Sequence, residues 1–178
     1  MHLTLWGRLA CVLRITRNLI LAMNERVRVT KKFVLDMAHA LYGYDGPCRN
    51  IHGHTYHLSV TVSGNPLSDD SHPKNGMVID FKELKSIINS QIIEIFDHAL
   101  VLHESAPYAT GNNLGQHFEK VIYTPFQPTC ELLLLHFKNQ IAGYFNAPVR
   151  LVHMRLEETP GSYAEWWYTD NTNANMPE

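Results

Sequence analysis

The sequence predicts an α+β domain whose elements run strand, strand, helix, helix, strand, strand. Three observations lead there: period-two alternation in the first third, apolar residues at helical spacing in two central segments, and a return to alternation near the carboxyl end. With 178 residues, 45% hydrophobic and 18% charged, the chain is long enough for one domain with a real core.

The first strand is read in KKFVLDMAHA, where Phe33, Leu35, Met37 and His39 alternate with Val34, Asp36 and Ala38, so that His39 ends the strand. The second begins near His52. His52, His54, Tyr56, Leu58, Val60 and Val62 share its apolar side, and Gly53, Thr55, His57, Ser59, Thr61 and Ser63 its polar side. Two imidazoles on an apolar side need partners, and either hydrogen bonding or a metal ion provides them. If the two strands pair antiparallel, His39 joins the pair. Three neutral imidazoles then suit Zn²⁺ and leave a fourth tetrahedral position open, as in catalytic sites.

After a turn-rich connection over 63–76, DFKELKSIINSQIIEIF predicts a helix with Phe81, Leu84, Ile88, Ile92 and Ile95 on one side. Asp80 with Glu83 resembles a capping box, so Asp80 is read as a cap. An irregular stretch containing Pro107, Gly111, Gly115 and Pro125 leads to a second helix from Thr129 to Tyr144, with Leu133, Phe137 and Ile141 inward. In VRLVHMRLEET, Val152, Met154, Leu156 and Glu158 fall on one side, and SYAEWWYT pairs back after Pro160 and Gly161. Glu158 is therefore the inward acid of the Glu157–Glu158 pair. Such a carboxylate needs a donor: an arginine, a backbone N–H or a ligand.

Net charge of −2 and a pI near 6.6 give no reason to expect nucleic acid or an anionic membrane as partner, although a local basic cluster can still bind a small phosphate ester. Cys11, Cys48 and Cys130 are an odd, scattered set without C-x-x-C, which suits a reducing cytosol rather than a disulfide framework. The amino end is apolar, but Arg8, Arg14 and Arg17 interrupt it, so neither a signal core nor a membrane span fits. Residues 1–22 are read as an extension outside the fold and 23–178 as one domain.

These segments together resemble the 6-pyruvoyl-tetrahydropterin synthase and 6-carboxy-tetrahydropterin synthase family. The carriers are AHAL around His39, C-x-x-x-HGH-x-Y from Cys48 to Tyr56, GMVIDF ending at Phe81, DHALVL from Asp97, PTCE at 128–131 and ET at 158–159. The similarity covers about residues 27–168, and the short gap between Cys48 and His52 looks like the bacterial 6-carboxy branch, which makes the queuosine precursor.

The resemblance implies a tunnelling fold, in which a four-stranded antiparallel sheet carries two helices on one face and subunits join into a barrel as trimers or hexamers with shared active sites. It implies Zn²⁺ on His39, His52 and His54, Cys48 as base, and Asp97 with His98 as an acid/base relay. It further implies Glu158 as the anchor of the pterin ring and Thr129 as an added hydrogen bond to it. The remaining histidines, His57, His72, His103, His117, His136 and His153, are read as ordinary, and Cys11 and Cys130 as packing residues. The implied reaction is conversion of 7,8-dihydroneopterin triphosphate to 6-carboxy-5,6,7,8-tetrahydropterin, with 6-pyruvoyl-tetrahydropterin formation or zinc-dependent pterin binding without turnover as alternatives. A cytoplasmic location follows from the same reading.

Overall fold

The computed structural model describes residues 25–109 and 114–172; the amino extension proposed for residues 1–22, and Cys11 within it, lie outside them. Strands β1 (Val27–Ala40) and β2 (His52–Gly64) form a long antiparallel pair in which His39 stands opposite His52. Helix α1 follows at Phe81–Ile88, then β3 (Ala99–His103), β4 (Val121–Thr124), helix α2 (Cys130–Ala142), β5 (Arg150–Thr159) and β6 (Ser162–Trp167). The sheet order is β4-β3-β1-β2-β5-β6.

The sheet is thus six-stranded and mixed, not four-stranded and antiparallel: β3 runs parallel to β1, and β4 parallel to β3. Both added strands are short, and β3 is covered on both sides. Ala99 and Val101 join the main core under the helices, whereas Leu100 and Leu102 pack with Ala40 in a second cluster on the opposite face. A strand buried on both faces has no polar side, so ALVL carries no alternation to read.

Both helices pack on one face, where Phe33, Leu35 and Met37 of β1, Tyr56, Leu58, Val60 and Val62 of β2, and Met154 and Leu156 of β5 meet Leu84, Ile88, Leu133, Phe137 and Ile141. Asp80 caps α1 by accepting from Lys82 N–H at 2.8 Å. Glu83 does not complete a capping box; it pairs with Lys74 at 2.8 Å. Beyond Ile88, α1 continues through a π turn at Asn89–Ile93 and a last turn at Glu94–Phe96. The wider turn rotates the inward row by one residue, so Phe96 is buried and Ile95 exposed.

A second correction concerns β5. The register with β2 shifts between Thr61 and Val62, so Thr61 faces His153 but Val62 faces Leu151. Val152 is left without a partner in that register, and Leu151, not Val152, enters the core. This is the effect of one extra residue in a ladder whose side chains alternate.

Candidate metal and catalytic site

The three histidines predicted from strand parity converge because β1 ends where β2 begins. His39 and His52 are cross-strand partners, and His54 is two residues further along the same side. Their ring centroids lie 4.5, 5.4 and 5.0 Å apart, and one ring nitrogen from each falls within 4.8 Å of the others.

Second contacts settle which nitrogens face inward. His39 Nδ1 donates to Pro128 O at 2.6 Å, and His52 Nδ1 donates to Asn50 O at 2.8 Å. Each Nε2 then carries the free lone pair, the arrangement by which a backbone carbonyl fixes the tautomer of a metal-ligating histidine. Burial holds His39 below the ordinary imidazole value, against the Pro128 hydrogen bond, and nearby His52 and His54 push the same way as burial. A neutral His39 is a competent ligand. The donor set therefore fits a divalent metal.

Beside the imidazoles stands Glu158. Its Oε1 accepts from Tyr56 Oη at 2.9 Å and lies 3.4 Å from His39 Nε2 and 3.7 Å from His54 Nε2. Tyr56 is fully buried, and burial, with Glu158 beside it, raises its hydroxyl far above the ordinary phenol value. It remains a donor. The motif reading left Tyr56 without a role, although its parity with His52 and His54 places it beside them. Cys130 is a buried thiol, 3.2 Å from Leu156 O, pushed up to about 11 by burial, which agrees with a packing role.

Thr129 is the N-cap of α2, and its hydroxyl accepts from Leu132 N–H at 3.4 Å. The start of this helix therefore stands at the imidazole cluster through the carbonyl of Pro128. Cys48 is half-buried in a short 3₁₀ turn, Pro47–Arg49, between β1 and β2, where its carbonyl accepts from Leu41 N–H at 2.9 Å. Among the described residues no hydrogen bond joins its thiol to the imidazoles or to the Asp97–His98 pair.

Asp97 and His98 do face each other, with His98 Nδ1 at 3.0 Å from Asp97 Oδ2. This geometry depends on an uncommon backbone. His98 has φ of +60°, and it is held there by its N–H, which donates to Asp36 O at 2.6 Å. Asp36 N–H in turn donates to Asp97 Oδ1 at 2.9 Å, and Lys120 Nζ donates to Asp97 O at 2.8 Å. Burial opposes the charged form of Asp97, yet these bonds, His98 and Lys120 outweigh it and hold the carboxyl below the usual range. His98 is exposed and lines a groove of about 780 Å³ together with Asp36, His54, Thr55 and His117. His98 thus lines a groove that reaches the imidazole cluster only through His54.

Four of the other histidines have local contacts: His72 and His103 accept from nearby backbone N–H groups, His136 meets Gln140, and His153 pairs with Glu165 at 3.1 Å while stacking on Trp167.

The family described as 6-pyruvoyl tetrahydropterin synthase matches residues 28–168. A Haemophilus influenzae protein named 6-carboxy-5,6,7,8-tetrahydropterin synthase is 36% identical over 141 residues, which is 78% of this chain and 97% of that protein. A Rickettsia felis protein of the same name is 30% identical, covering 78% of this chain and 99% of its own length. In fold, the chain resembles the crystal structure of 6-pyruvoyl tetrahydropterin synthase from Plasmodium vivax, with a TM-score of 0.60 at 20% identity over 80% of this chain and 98% of that one. A match over residues 28–168, which runs from β1 to β6, makes this chain a member of the 6-pyruvoyl tetrahydropterin synthase family.

Proposed function

We propose that the chain is a 6-carboxy-5,6,7,8-tetrahydropterin synthase that converts 7,8-dihydroneopterin triphosphate to 6-carboxy-5,6,7,8-tetrahydropterin, releasing acetaldehyde and triphosphate, in queuosine biosynthesis. The observation that carries this reading is the imidazole triad beside the Tyr56–Glu158 pair: three imidazole nitrogens meet within 4.8 Å, and Glu158 Oε1 stands 3.4 Å from one of them, His39 Nε2. Relatives named for the 6-carboxy product decide between the family's products.

His39, His52 and His54 would hold Zn²⁺, which when bound would supply Lewis acidity toward the side-chain hydroxyls of the dihydropterin. Glu158 accepts from the ring N–H and the exocyclic amino group, two parallel donors that suit one carboxylate. Thr129 adds a hydrogen bond from its hydroxyl, whose hydrogen is not used by the capping contact. Cys48 takes a proton from the substrate side chain, and His98 returns or removes protons through Nε2, because Asp97 occupies Nδ1.

Cys48 makes no hydrogen bond to the Asp97–His98 pair and does not line the groove of His98, which favours a site completed by a second copy of the chain, in a trimer or hexamer. Strands β4 and β6 are the sheet edges available for such pairing. No helix among the described residues is long and apolar enough to cross a membrane, and free cysteines suit the cytoplasm.

Mass spectrometry of the product from metal-loaded protein tests the reading. Formation of the 6-carboxy product is expected. Formation of 6-pyruvoyl-tetrahydropterin alone moves the chain to the activity that gives its family the name, and absence of turnover leaves a pterin-binding protein.

A further inference from the structure

The geometry points to a polyphosphate-binding groove at the end of the sheet away from the imidazoles, formed by Arg26, Arg28, Ser63 and Arg150. From Arg28 to His39, β1 advances roughly 35 Å at about 3.3 Å per residue, so the groove is separate from the metal site of the same chain. Arg28 is the partner of Ser63 across β1 and β2, and Ser63 is the partner of Arg150 across β2 and β5. The three residues therefore make one cross-strand row. It places two arginines about 10 Å apart on either side of a serine.

Arg150 is in that row only because of the irregularity at Val152. In an unshifted ladder Arg150 would share the parity of Met154 and Leu156 and point toward the helices. The additional residue places Leu151 opposite buried Val62 and turns Arg150 to the helix-free face, opposite Ser63. Bulges of this kind re-aim single side chains.

The guanidiniums are oriented by neutral groups. Arg26 donates to Ser63 O at 2.9 Å, and Arg150 donates to Tyr168 Oη at 3.0 Å with its guanidinium 4.8 Å from the Tyr168 ring centre. No carboxylate lines this groove of about 800 Å³, and among the described residues none of the three arginines is in an ion pair with an acid. Three permanent cations, two of them (Arg26 and Arg150) preset by uncharged partners, with a hydroxyl between Arg28 and Arg150, match an anion of several phosphates better than a single carboxylate. The choice of triphosphate rests on the function proposed above, since substrate and released product both carry that group. A protein with net charge of −2 gains a local region of attraction for such an anion.

Isothermal titration of the full chain with inorganic triphosphate, with and without bound metal, tests the groove. The double variant Arg28→Ala/Arg150→Ala is expected to bind at least about tenfold more weakly than the parent, and Arg28→Lys/Arg150→Lys to recover part of the loss. Lys32→Ala removes a cation elsewhere on the same sheet face and is expected to change binding less than about twofold. Parental affinity in the double alanine variant overturns the groove, as does an equal loss in Lys32→Ala. Dihydroneopterin without phosphates should show no dependence on the arginines, and the same loss with it also overturns the assignment. If the chain proves inactive but triphosphate binding still depends on Arg28 and Arg150, the groove stands and the proposed reaction falls.

Discussion

Tyr56 donates its phenolic hydrogen to Glu158 Oε1 at 2.9 Å, and that same oxygen lies 3.4 Å from His39 Nε2. The contact joins the predicted ring anchor to the predicted metal ligands through one atom. It also fixes how the anchor responds to mutation.

In Glu158→Gln the amide oxygen retains the Tyr56 bond, which directs the amide N–H₂ to the position where a ring donor needs an acceptor. Leaving a buried donor unpaired costs about 1–3 kcal/mol, and more when a charge-assisted bond is lost, so kcat/KM should fall about tenfold to over a hundredfold. Metal content should be unchanged. Glu157, whose Oε2 accepts from Arg155 at 2.9 Å on the other face, should tolerate the same substitution within about twofold. Steady-state kinetics with elemental analysis checks both, and metal loss in Glu158→Gln would reassign Glu158 as a ligand.

Replacing His52 or His54 by Ala removes one of three imidazoles that meet within 4.8 Å. Bound metal after dialysis should fall at least about tenfold, and turnover with it. Full metal content in both variants, measured by mass spectrometry, would place the metal elsewhere.

Cys48 sits in an exposed turn rather than the core, so Cys48→Ala should leave metal content unchanged and stability within about 1 kcal/mol. Turnover should drop about a hundredfold or more, the usual magnitude for losing a general base. Near-parental turnover assigns Cys48 to packing.

The depressed Asp97 carboxyl gives a pH dependence with a defined sign. A folded-state value below the unfolded value contributes stability that is present above the ordinary carboxylate range and is lost as pH falls through the folded value. The stability difference between the parent and Asp97→Asn should therefore be greatest above about pH 5 and shrink below about pH 4. Urea unfolding across that range measures it. A difference that grows toward acid would show that Asp97 is not held charged by Asp36, His98 and Lys120.

The helix-facing rows of β1 and β2, and with them all three imidazoles, were legible because strict alternation assigns a side to every residue. Alternation failed where the backbone adds a residue. It put Val152 in place of Leu151 and Ile95 in place of Phe96, each displaced by a local irregularity that no side-chain pattern announces. Strand β3 was not legible because parallel pairing beside β1 covers ALVL on both faces, and β4 spans only four residues. The family motif identified Asp97 and His98, but only the structure shows the main chain of Asp36 holding them in a left-handed turn.

His39 and His52 are oriented by the carbonyls of Pro128 and Asn50, which belong to the main chain. A saturation survey of single substitutions would therefore register the imidazoles themselves as intolerant while passing over the groups that aim them, because every amino acid at position 50 or 128 brings the same carbonyl. Attempts to breed a new metal preference into this pocket would need insertions or deletions that reroute the chain ahead of β2 and α2, since exchanging side chains there leaves the aiming groups in place.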